Sequence, residues 1–375
     1  MRIVCAFDSF KGTLTSLEAS ETVSGVLRDS LDHIISTVAI ADGGEGTLDT
    51  LVHNLGGRKV KRRVKGPRGK SVDAEYGLLD DGTAVIEMAE AAGLTLLKES
   101  ERNPLYASSE GVGMLIRDAL EKGARQFIVG IGGSATNDMG MGILHALGYR
   151  FMDKSGKPLV PCGASLVHVD AIDKREVHPA LKDSTFTIAC DVTNPLYGPK
   201  GAAAVYAPQK GADEKAVGIL DEGLRHLSRV AARHTGKKEN LKRDGAAGGI
   251  GAGLRMFLGA SLEDGFNVVY GASKMEKMLR ESDLLITGEG RIDGQTLEGK
   301  APFALASKAK ALGLKTIALS GSIDIPETKR DDYPFDAMFG SFSESMEEKS
   351  LPDTKSARKN LAFLTREVAR LYFME

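Results

Sequence analysis

Three short loops combine carboxylates with glycines, and each loop follows an apolar run of the chain. They span residues 8–12, 42–46 and 288–294. Carboxylates beside glycine suit Mg²⁺ and its water ligands. Two of the loops also carry a cation, Lys11 or Arg291, and cations with free backbone N–H groups suit phosphate oxygens. These loops therefore predict the handling of phosphate together with a divalent cation.

A fourth loop, residues 130–138, is rich in glycine and lies between an apolar run and a helical pattern. That order offers phosphate a row of backbone N–H groups and the positive end of a helix. The G-x-G-x-x-G pattern of dinucleotide-binding proteins ends here in Ala135, and no acidic residue follows about twenty positions later in a strand-end context. A dehydrogenase is therefore not favoured.

Residues 294–300 match the phosphate-binding pattern G-x-x-x-x-G-K only in part. Ala301 stands where that motif needs a serine or threonine for Mg²⁺, and the preceding apolar run ends near Thr287, too early for a P-loop. A P-loop is not favoured. Lys300 either contacts a phosphate or caps its own loop.

Each candidate residue also has a structural interpretation. Asp8 and Asp42 could be turn or helix-capping carboxylates, and Lys11 could be a solvated surface lysine. Asp138 could serve only the first turn of its helix, and Asp191 could form a turn after an apolar strand. The occurrence of such residues in three corresponding loops favours function.

Strand and helix patterns alternate at both ends of the chain. Apolar runs at residues 3–7, 34–40, 284–287 and 316–319 predict strands, and Thr15 with Glu18 predicts a capping box for the first helix. Further helices are predicted to start near Pro302 and to span residues 356–373. Such alternation predicts a parallel sheet, and the carboxyl ends of its strands would bring the three charged loops to one edge.

The middle of the chain has a different pattern. Short runs over residues 60–78 predict hairpins, and further strands are predicted at residues 127–131 and 186–190. Helices are predicted from Pro104 to near Gly123 and over residues 213–236. We predict an α/β protein in which residues 1–60 and 283–375 form a Rossmann-like parallel-sheet domain. A second, mixed α/β domain, residues 61–282, is inserted into it.

The composition restricts the partners. The chain has 375 residues, 42% of them hydrophobic, and a formal net charge of −2, which favours neither nucleic acid nor a membrane as partner. The basic stretch over residues 58–70 alternates with Val60 and Val64 and lacks stacking aromatics, so it predicts a solvated edge strand. Three widely spaced cysteines predict neither a disulfide framework nor a zinc site, and the expected location is cytoplasmic.

Six segments in sequence resemble signatures of the type I glycerate kinase family. They are residues 8–12, 41–47, 132–138, 191–196, 208–212 and 288–296, within a resemblance that runs from residue 2 to about residue 303. The chain departs from the family pattern at Phe7, where a proline is usual, and at Met139 and Met141, where small residues are common. None of these changes removes a polar group.

The resemblance implies ATP-dependent phosphorylation of D-glycerate, at the 2-hydroxyl, with ATP and Mg²⁺ as cofactors. It also implies two α/β domains with the active site in the cleft between them. The oligomeric state, monomer or homodimer, is left open. Two alternatives remain: a kinase of another small hydroxy acid and a non-catalytic sugar-acid-binding protein. The abundance of carboxylates in the loops counts against the second.

Under this hypothesis the site residues take separate roles. Lys11 and Arg291 neutralise charge on the transferring phosphate or on the substrate carboxylate. Asp191 is the predicted general base, with Asp8 or Asp293 as alternatives. The predicted metal ligands are Asp42, Glu45, Glu289 and Asp293. The predicted substrate-binding and phosphate-binding residues are Asp8, Ser9, Gly132, Gly133, Ser134, Asn137, Asp138, Asn194 and Lys300.

Overall fold

The computed structural model describes residues 1–30, 32–342 and 353–373. Its strands are β1 (Arg2–Phe7), β2 (Ile34–Ala39), β3 (Gly57–Lys65), β4 (Ser71–Leu79), β5 (Ala84–Glu87), β6 (Gln126–Gly130), β7 (Arg150–Met152), β8 (Ala171–Asp173), β9 (Thr185–Ala189), β10 (Ser261–Glu263), β11 (Leu284–Gly288), β12 (Arg291–Ile292), β13 (Lys315–Ile323) and β14 (Ala337–Phe342).

Helices connect most of these strands. They are α1 (Ser16–Ser30), α2 (Thr47–Leu55), α3 (Met88–Ala92), α4 (Glu110–Glu121), α5 (Met141–Ala146), α6 (Ala202–Tyr206), α7 (Glu214–Thr235), α8 (Ala246–Leu258), α9 (Gly265–Ala272), α10 (Met275–Arg280), α11 (Ala301–Ala311) and α12 (Thr354–Phe373). Within the described residues, no helix is long and apolar enough to cross a membrane.

The chain divides into two compact units, the first formed by Met1–Asp42 with Val269–Glu375 and the second by Gly43–Val268. These divisions differ from the predicted ones after residues 60 and 282. Helix α2 accounts for the first difference, because it packs against β4 and β5 of the second unit. Part of the predicted terminal domain, residues 343–352 and 374–375, lies outside the described residues.

The first unit is built on a parallel sheet, as the alternation of strands and helices predicted. Its strand order is β12-β13-β11-β1-β2, and β14 pairs with β13. Every strand pair in this sheet is parallel. Helices α1 and α12 pack together over it, and the core includes Ile3, Cys5 and Phe7 of β1.

The capping box predicted for α1 is confirmed. The Glu18 amide donates to Thr15 Oγ1 at 3.2 Å, and the Thr15 amide donates to Glu18 Oε2 at 3.0 Å. These reciprocal bonds satisfy two donors that would otherwise lack partners at the start of the helix. They set the point at which the chain leaves the loop that carries Asp8 and Lys11.

The second unit contains a mixed sheet of order β10-β9-β6-β5-β4-β3. Strands β3, β4 and β5 are antiparallel neighbours, so the predicted hairpins are confirmed, whereas β5, β6, β9 and β10 run parallel. The basic strand β3 is the edge of this sheet. Val60 and Val64 are buried, and Lys61 and Arg62 pair with Asp73 and Asp118 respectively. This pairing supports the interpretation of β3 as a solvated edge.

The helix predicted to start at Pro104 is wrong in its first turn and a half. Residues around Pro104 form turns instead, in which the Leu105 amide donates to Asn103 Oδ1 at 3.1 Å and the Ser108 amide donates to Pro67 O at 2.9 Å. Helix α4 begins only at Glu110. By contrast, α7 keeps its predicted limits.

Helix α8 was not predicted, and its start has an unusual backbone. Ala247, Gly248 and Gly249 have φ values of 51°, 69° and 89°, in the left-handed region that glycine adopts most easily. A Cβ atom at Gly248 would lie 2.2 Å from Thr136 O, and one at Gly253 would lie 2.0 Å from Met139 O. These glycines therefore let α8 pack directly on the backbone of the fourth loop and of Met139, which follows it.

Candidate active site

Three strands of the first unit end together. Phe7 of β1 is in register with Ala39 of β2 and with Gly288 of β11. The loops that start at Asp8 and Glu289 therefore leave the sheet at the same edge, as the rule for parallel strands predicted.

Asp8 lies in a negative field at this edge. Its carboxylate is half-buried and accepts a 2.7 Å hydrogen bond from the Ser9 amide. Burial, with the nearby carboxylates of Asp42 and Glu289, raises the pKa of Asp8 to about 7, against the opposing effects of the Ser9 bond and of Lys11. The carboxylates of Asp8, Asp42 and Glu289 thus repel one another, and a bound cation would stabilise them. Lys11 itself is exposed, which fits both a surface lysine and a ligand-binding one.

Glu289 is tied to its own loop. The residue is buried, with only 5% of its surface exposed. One carboxylate oxygen accepts from Thr296 Oγ1 at 2.9 Å and the other from Lys300 Nζ at 2.8 Å. Burial raises the pKa of Glu289, and Lys300 opposes that rise. Of the two interpretations offered for Lys300, this contact favours the one that holds the loop together.

Arg291 is also paired. Its Nη2 atom donates to Asp324 Oδ2 at 2.5 Å, and its Nε atom lies 3.3 Å from Asp293 Oδ2. Asp293 accepts a further 2.9 Å bond from the Gln295 amide through its other oxygen. A role for Arg291 at a phosphate would require it to exchange these carboxylates for the ligand.

The predicted set of metal ligands, Asp42, Glu45, Glu289 and Asp293, stays a prediction. Among the described residues, no three His, Cys, Asp or Glu side chains are grouped as a metal site. Glu289 is engaged by Lys300, and Glu45 is exposed and belongs to the second unit. Mg²⁺ in nucleotide enzymes is usually held by one or two carboxylates with phosphate and water. The Asp8 and Asp42 carboxylates, whose mutual repulsion a cation would relieve, fit that requirement.

In the second unit, a second set of strand ends coincides. Glu87 of β5, Gly130 of β6 and Ala189 of β9 are in register, and Ala189 pairs with Glu263 of β10. A Cβ atom at Gly130 would lie 2.9 Å from Gly43 O. The 43–46 loop therefore lies against the same edge as the fourth loop.

The fourth loop offers free backbone donors there. The amides of Gly132 and Gly133 donate to no protein acceptor within the described part of the chain, and both residues are exposed. Gly133 has φ +68°, and its carbonyl accepts from Leu94 N at 2.8 Å. Free consecutive amides suit an anion. The expected helix end is absent from this loop, because α5 begins only at Met141.

A buried lysine that the sequence did not single out supports this loop. Lys210 is 3% exposed, and its Nζ atom donates to Ser134 Oγ and to Thr136 O, each at 2.7 Å. Burial lowers the pKa of Lys210 to about 7, although the Asp138 carboxylate acts in the opposite direction. The available signal was the 208–212 segment, which belongs to the family signatures but had been given no role.

Two buried polar side chains close to Ser134 have no hydrogen-bond partner among the described residues. Within the described residues, Thr136 Oγ1 and both polar atoms of the Asn137 amide are buried and make no hydrogen bond. Unsatisfied buried groups of this kind cost about 1–3 kcal/mol each. They fit a segment that is completed by a ligand or by water. A binding role for Asn137 stays a prediction.

Asp138, by contrast, is a structural residue in this fold. It is fully buried, and its Oδ2 atom accepts from the Ser109 amide and hydroxyl, both at 2.8 Å, and from the Gly142 amide at 3.2 Å. Its Oδ1 atom accepts from the Gly140 amide at 3.1 Å. The carboxylate thus joins the starts of α4 and α5. These contacts support the structural alternative for Asp138, and its predicted role in ligand binding stays a prediction.

Asp191 and Asn194, the two predicted site residues that follow β9, differ in their surroundings. Asp191 is exposed and its Oδ1 atom accepts from the Gly265 amide at 2.9 Å. The Asn194 amide is used inside the protein, since Oδ1 accepts from Tyr206 Oη at 2.7 Å and Nδ2 donates to Lys200 O at 2.9 Å. Asp191 stays the predicted base. The contacts of Asn194 support a structural role, and its predicted role in binding stays a prediction.

Sequence reasoning also passed over Glu87, at the end of β5. This side chain is 7% exposed and accepts a 2.8 Å bond from the Leu48 amide at the start of α2. Burial, with smaller effects from Glu90, Asp49 and Glu45, raises the pKa of Glu87 to about 7. The signal was a glutamate directly after the apolar run of a strand.

Glycine-rich, charged loops at the carboxyl edge of parallel strands are typical of α/β proteins that bind small anionic ligands. Residues 3–373 match the Glycerate kinase family. The protein belongs to this family, which confirms the resemblance and the α/β fold class.

Similar proteins are known from several bacteria. The chain is 43% identical over 340 residues to a glycerate kinase of Halalkalibacterium halodurans and 41% identical over 343 residues to the glycerate 2-kinase of Escherichia coli K12, with 90% of both chains covered in each case. It is also similar to a crystal structure from Salmonella typhimurium LT2 assigned as glycerate kinase 2. That likeness has a TM-score of 0.90 at 39% identity and covers 99% of this chain and 98% of the other.

Proposed function

We propose that this protein is an ATP-dependent glycerate kinase that converts D-glycerate to 2-phospho-D-glycerate. The observation that carries the proposal is the family match over residues 3–373. Each of the two units adds a chemical argument. The first unit gathers carboxylates and cations at one sheet edge, and the second presents free amides supported by a buried lysine.

The reaction needs an aligned hydroxyl more than covalent help from the protein. The glycerate hydroxyl oxygen forms a bond to the γ-phosphorus of ATP, and the bond from that phosphorus to the ADP oxygen breaks. The hydroxyl proton passes to a carboxylate base. Asp191 is our candidate, because it is exposed at the end of β9 and the Gly265 amide engages its Oδ1 atom. Asp8 is the alternative, since its raised pKa suits proton transfer near neutral pH.

Two substrates with anionic groups must be held without repelling each other. The Gly132 and Gly133 amides would bind anionic oxygen, and Lys11 would supply a mobile cation. Arg291 would contribute after exchanging Asp324 for the ligand. Asp42 would hold Mg²⁺, together with Asp8 if Asp191 is the base, and the bound ion would neutralise phosphate oxygens.

The direct test is the reaction of the purified protein with ATP and a panel of small hydroxy acids. We expect ADP release with D-glycerate, and phosphorus NMR should place the new phosphate on the 2-hydroxyl. L-Glycerate and lactate serve as controls for stereochemistry and for the carboxylate alone. Faster turnover with another hydroxy acid would support the alternative substrate class. Glycerate binding without any ADP release would support the sugar-acid-binding alternative.

We also infer a cytoplasmic location. Cys5, Cys162 and Cys190 are buried and free, whereas secreted domains commonly pair their cysteines. Fractionation of the native cells, followed by detection of the protein in the cytoplasmic fraction, tests this point.

A further inference from the structure

Lys210 is unusual because it is buried and forms no ion pair with any described residue. Lysine is almost never fully buried unless it is paired, yet this residue is 3% exposed. Its hydrogen-bond acceptors are a hydroxyl and a backbone carbonyl, Ser134 Oγ and Thr136 O. No ion pair of Lys210 with a carboxylate occurs within the described residues. The Asp138 charge acts on it only at longer range.

The contact with Lys210 determines what Ser134 can do. The serine oxygen accepts the 2.7 Å bond from Lys210 Nζ, so its own proton is available for another acceptor. Ser134 follows directly after Gly132 and Gly133, whose exposed amides have no acceptor in the described chain. Three donors from consecutive residues are therefore available in one short loop.

A neighbouring side chain also has polar atoms without hydrogen-bond partners among the described residues. Both polar atoms of the Asn137 side chain are buried and without a partner among the described residues. A hydrophobic side chain in place of Lys210 would avoid the desolvation of an ammonium group. A buried lysine at this position therefore indicates a role other than packing.

We propose that Lys210 is a positioning residue that holds the Ser134 hydroxyl ready to donate to the anionic oxygen bound by the Gly132 and Gly133 amides. The inference deepens the proposed function and rests on it. The anionic oxygen belongs either to a phosphate of ATP or to the carboxylate of glycerate. These two sources share the same chemistry, and the experiment separates them.

The test uses three variants: K210M, S134A and the double variant K210M/S134A. Each is compared with the control variant K215M. Lys215 is an exposed lysine on α7 and is the matched control. For each protein, kcat and both KM values are measured, and calorimetry gives the affinity for ATP and for D-glycerate separately. K215M should behave as wild type. K210M and S134A should each lower kcat/KM by about 10- to 100-fold.

The double variant is decisive, because a positioning residue acts through its partner. We expect it to be no worse than K210M alone. A weaker affinity for ATP alone assigns the oxygen to a phosphate, and a weaker affinity for glycerate alone assigns it to the carboxylate. Multiplicative losses in the double variant would overturn the proposal, and so would unchanged constants in folded K210M.

Two further outcomes distinguish a failure of the Lys210 proposal from a failure of K210M to fold and from a failure of the proposed function. If K210M does not fold, S134A alone decides, and wild-type kinetics of S134A would refute the role. If the wild-type protein binds ATP but does not phosphorylate glycerate, the proposed function fails. The role of Lys210 is then decided by the affinities of the same variants for ATP and for D-glycerate, and wild-type affinities for both would overturn it.

Discussion

The Glu289 carboxylate and the Lys300 ammonium form a 2.8 Å ion pair that closes the loop between β11 and α11. The glutamate side chain is only 6% exposed, and the lysine side chain 25%. Thr296 from the same loop satisfies the second carboxylate oxygen. A segment that reads in sequence as a partial phosphate-binding motif is thus held in shape by its own charges.

Replacing Lys300 with methionine should destabilise the protein by about 3 kcal/mol, because the variant leaves a buried carboxylate without its partner. Burial already raises the pKa of Glu289 above its ordinary 4.5, and loss of Lys300 raises it further. The folded variant then binds a proton that the unfolded chain has released. The destabilisation should therefore be small near pH 5 and grow as the pH rises.

Urea unfolding of K300M between about pH 5 and pH 8 measures this effect against the wild-type protein. K310M, at an exposed position on α11, is the matched control. An equal loss of stability at both ends of the pH range would show that the ion pair is not its source.

Replacing Asp138 with asparagine should lower the free energy of unfolding by roughly 3 kcal/mol, because charge-assisted bonds within the protein are lost. The affected donors are the Ser109 amide and hydroxyl and the amides of Gly140 and Gly142. Well below its melting temperature, D138N should keep kcat within a few-fold of wild type. Thermal unfolding and steady-state kinetics on one preparation provide the check. A large fall in kcat with unchanged Tm would restore the ligand-binding role.

Replacing Lys11 with alanine should leave the fold intact, since the side chain is exposed. Its loss should lower kcat by orders of magnitude, because removing a contact to transition-state charge typically costs about 3–4 kcal/mol. Circular dichroism and the ADP-release assay measure the two effects. K359A, at an exposed position on α12, controls for loss of a surface charge. Turnover of K11A at the wild-type rate would make Lys11 a surface lysine.

Replacing Asp191 with asparagine separates the two candidate bases. The amide keeps an acceptor for the Gly265 amide, so the loop should be retained, but it cannot take up a proton. We expect kcat to fall by about 100-fold or more with KM little changed. If the rate is retained, the base lies elsewhere, and Asp8 becomes the candidate to test next.

The sequence predicted most of the parallel sheets because their strands are buried on both faces. Residues 3–7 of β1 and 284–286 of β11 are continuous apolar runs, and a carboxylate directly follows each strand. Such runs are strong local signals. The meeting of their loops at one edge then followed from chain topology alone.

What the sequence did not predict depended on contacts between distant residues. Lys210 and Ser134 are 76 residues apart, and no local pattern reports their contact. Helix α8 was missed because Gly248 and Gly249 indicate a loop, whereas here they allow a close approach to Thr136. The Asp138 carboxylate accepts hydrogen bonds from the Ser109, Gly140 and Gly142 amides, and sequence alone does not separate such an internal role from ligand binding.

The pairing of β1 with β11 has a consequence for biosynthesis. Ile3 is in register with Leu284, so the inner edge of β1 stays open on the ribosome while roughly 280 further residues are made, about 15–60 s at common elongation rates. The run Ile3–Phe7 is wholly apolar, and such an unpaired edge invites aggregation. Newly made chains should therefore depend on chaperone protection of β1 until β11, Leu284–Gly288, has emerged.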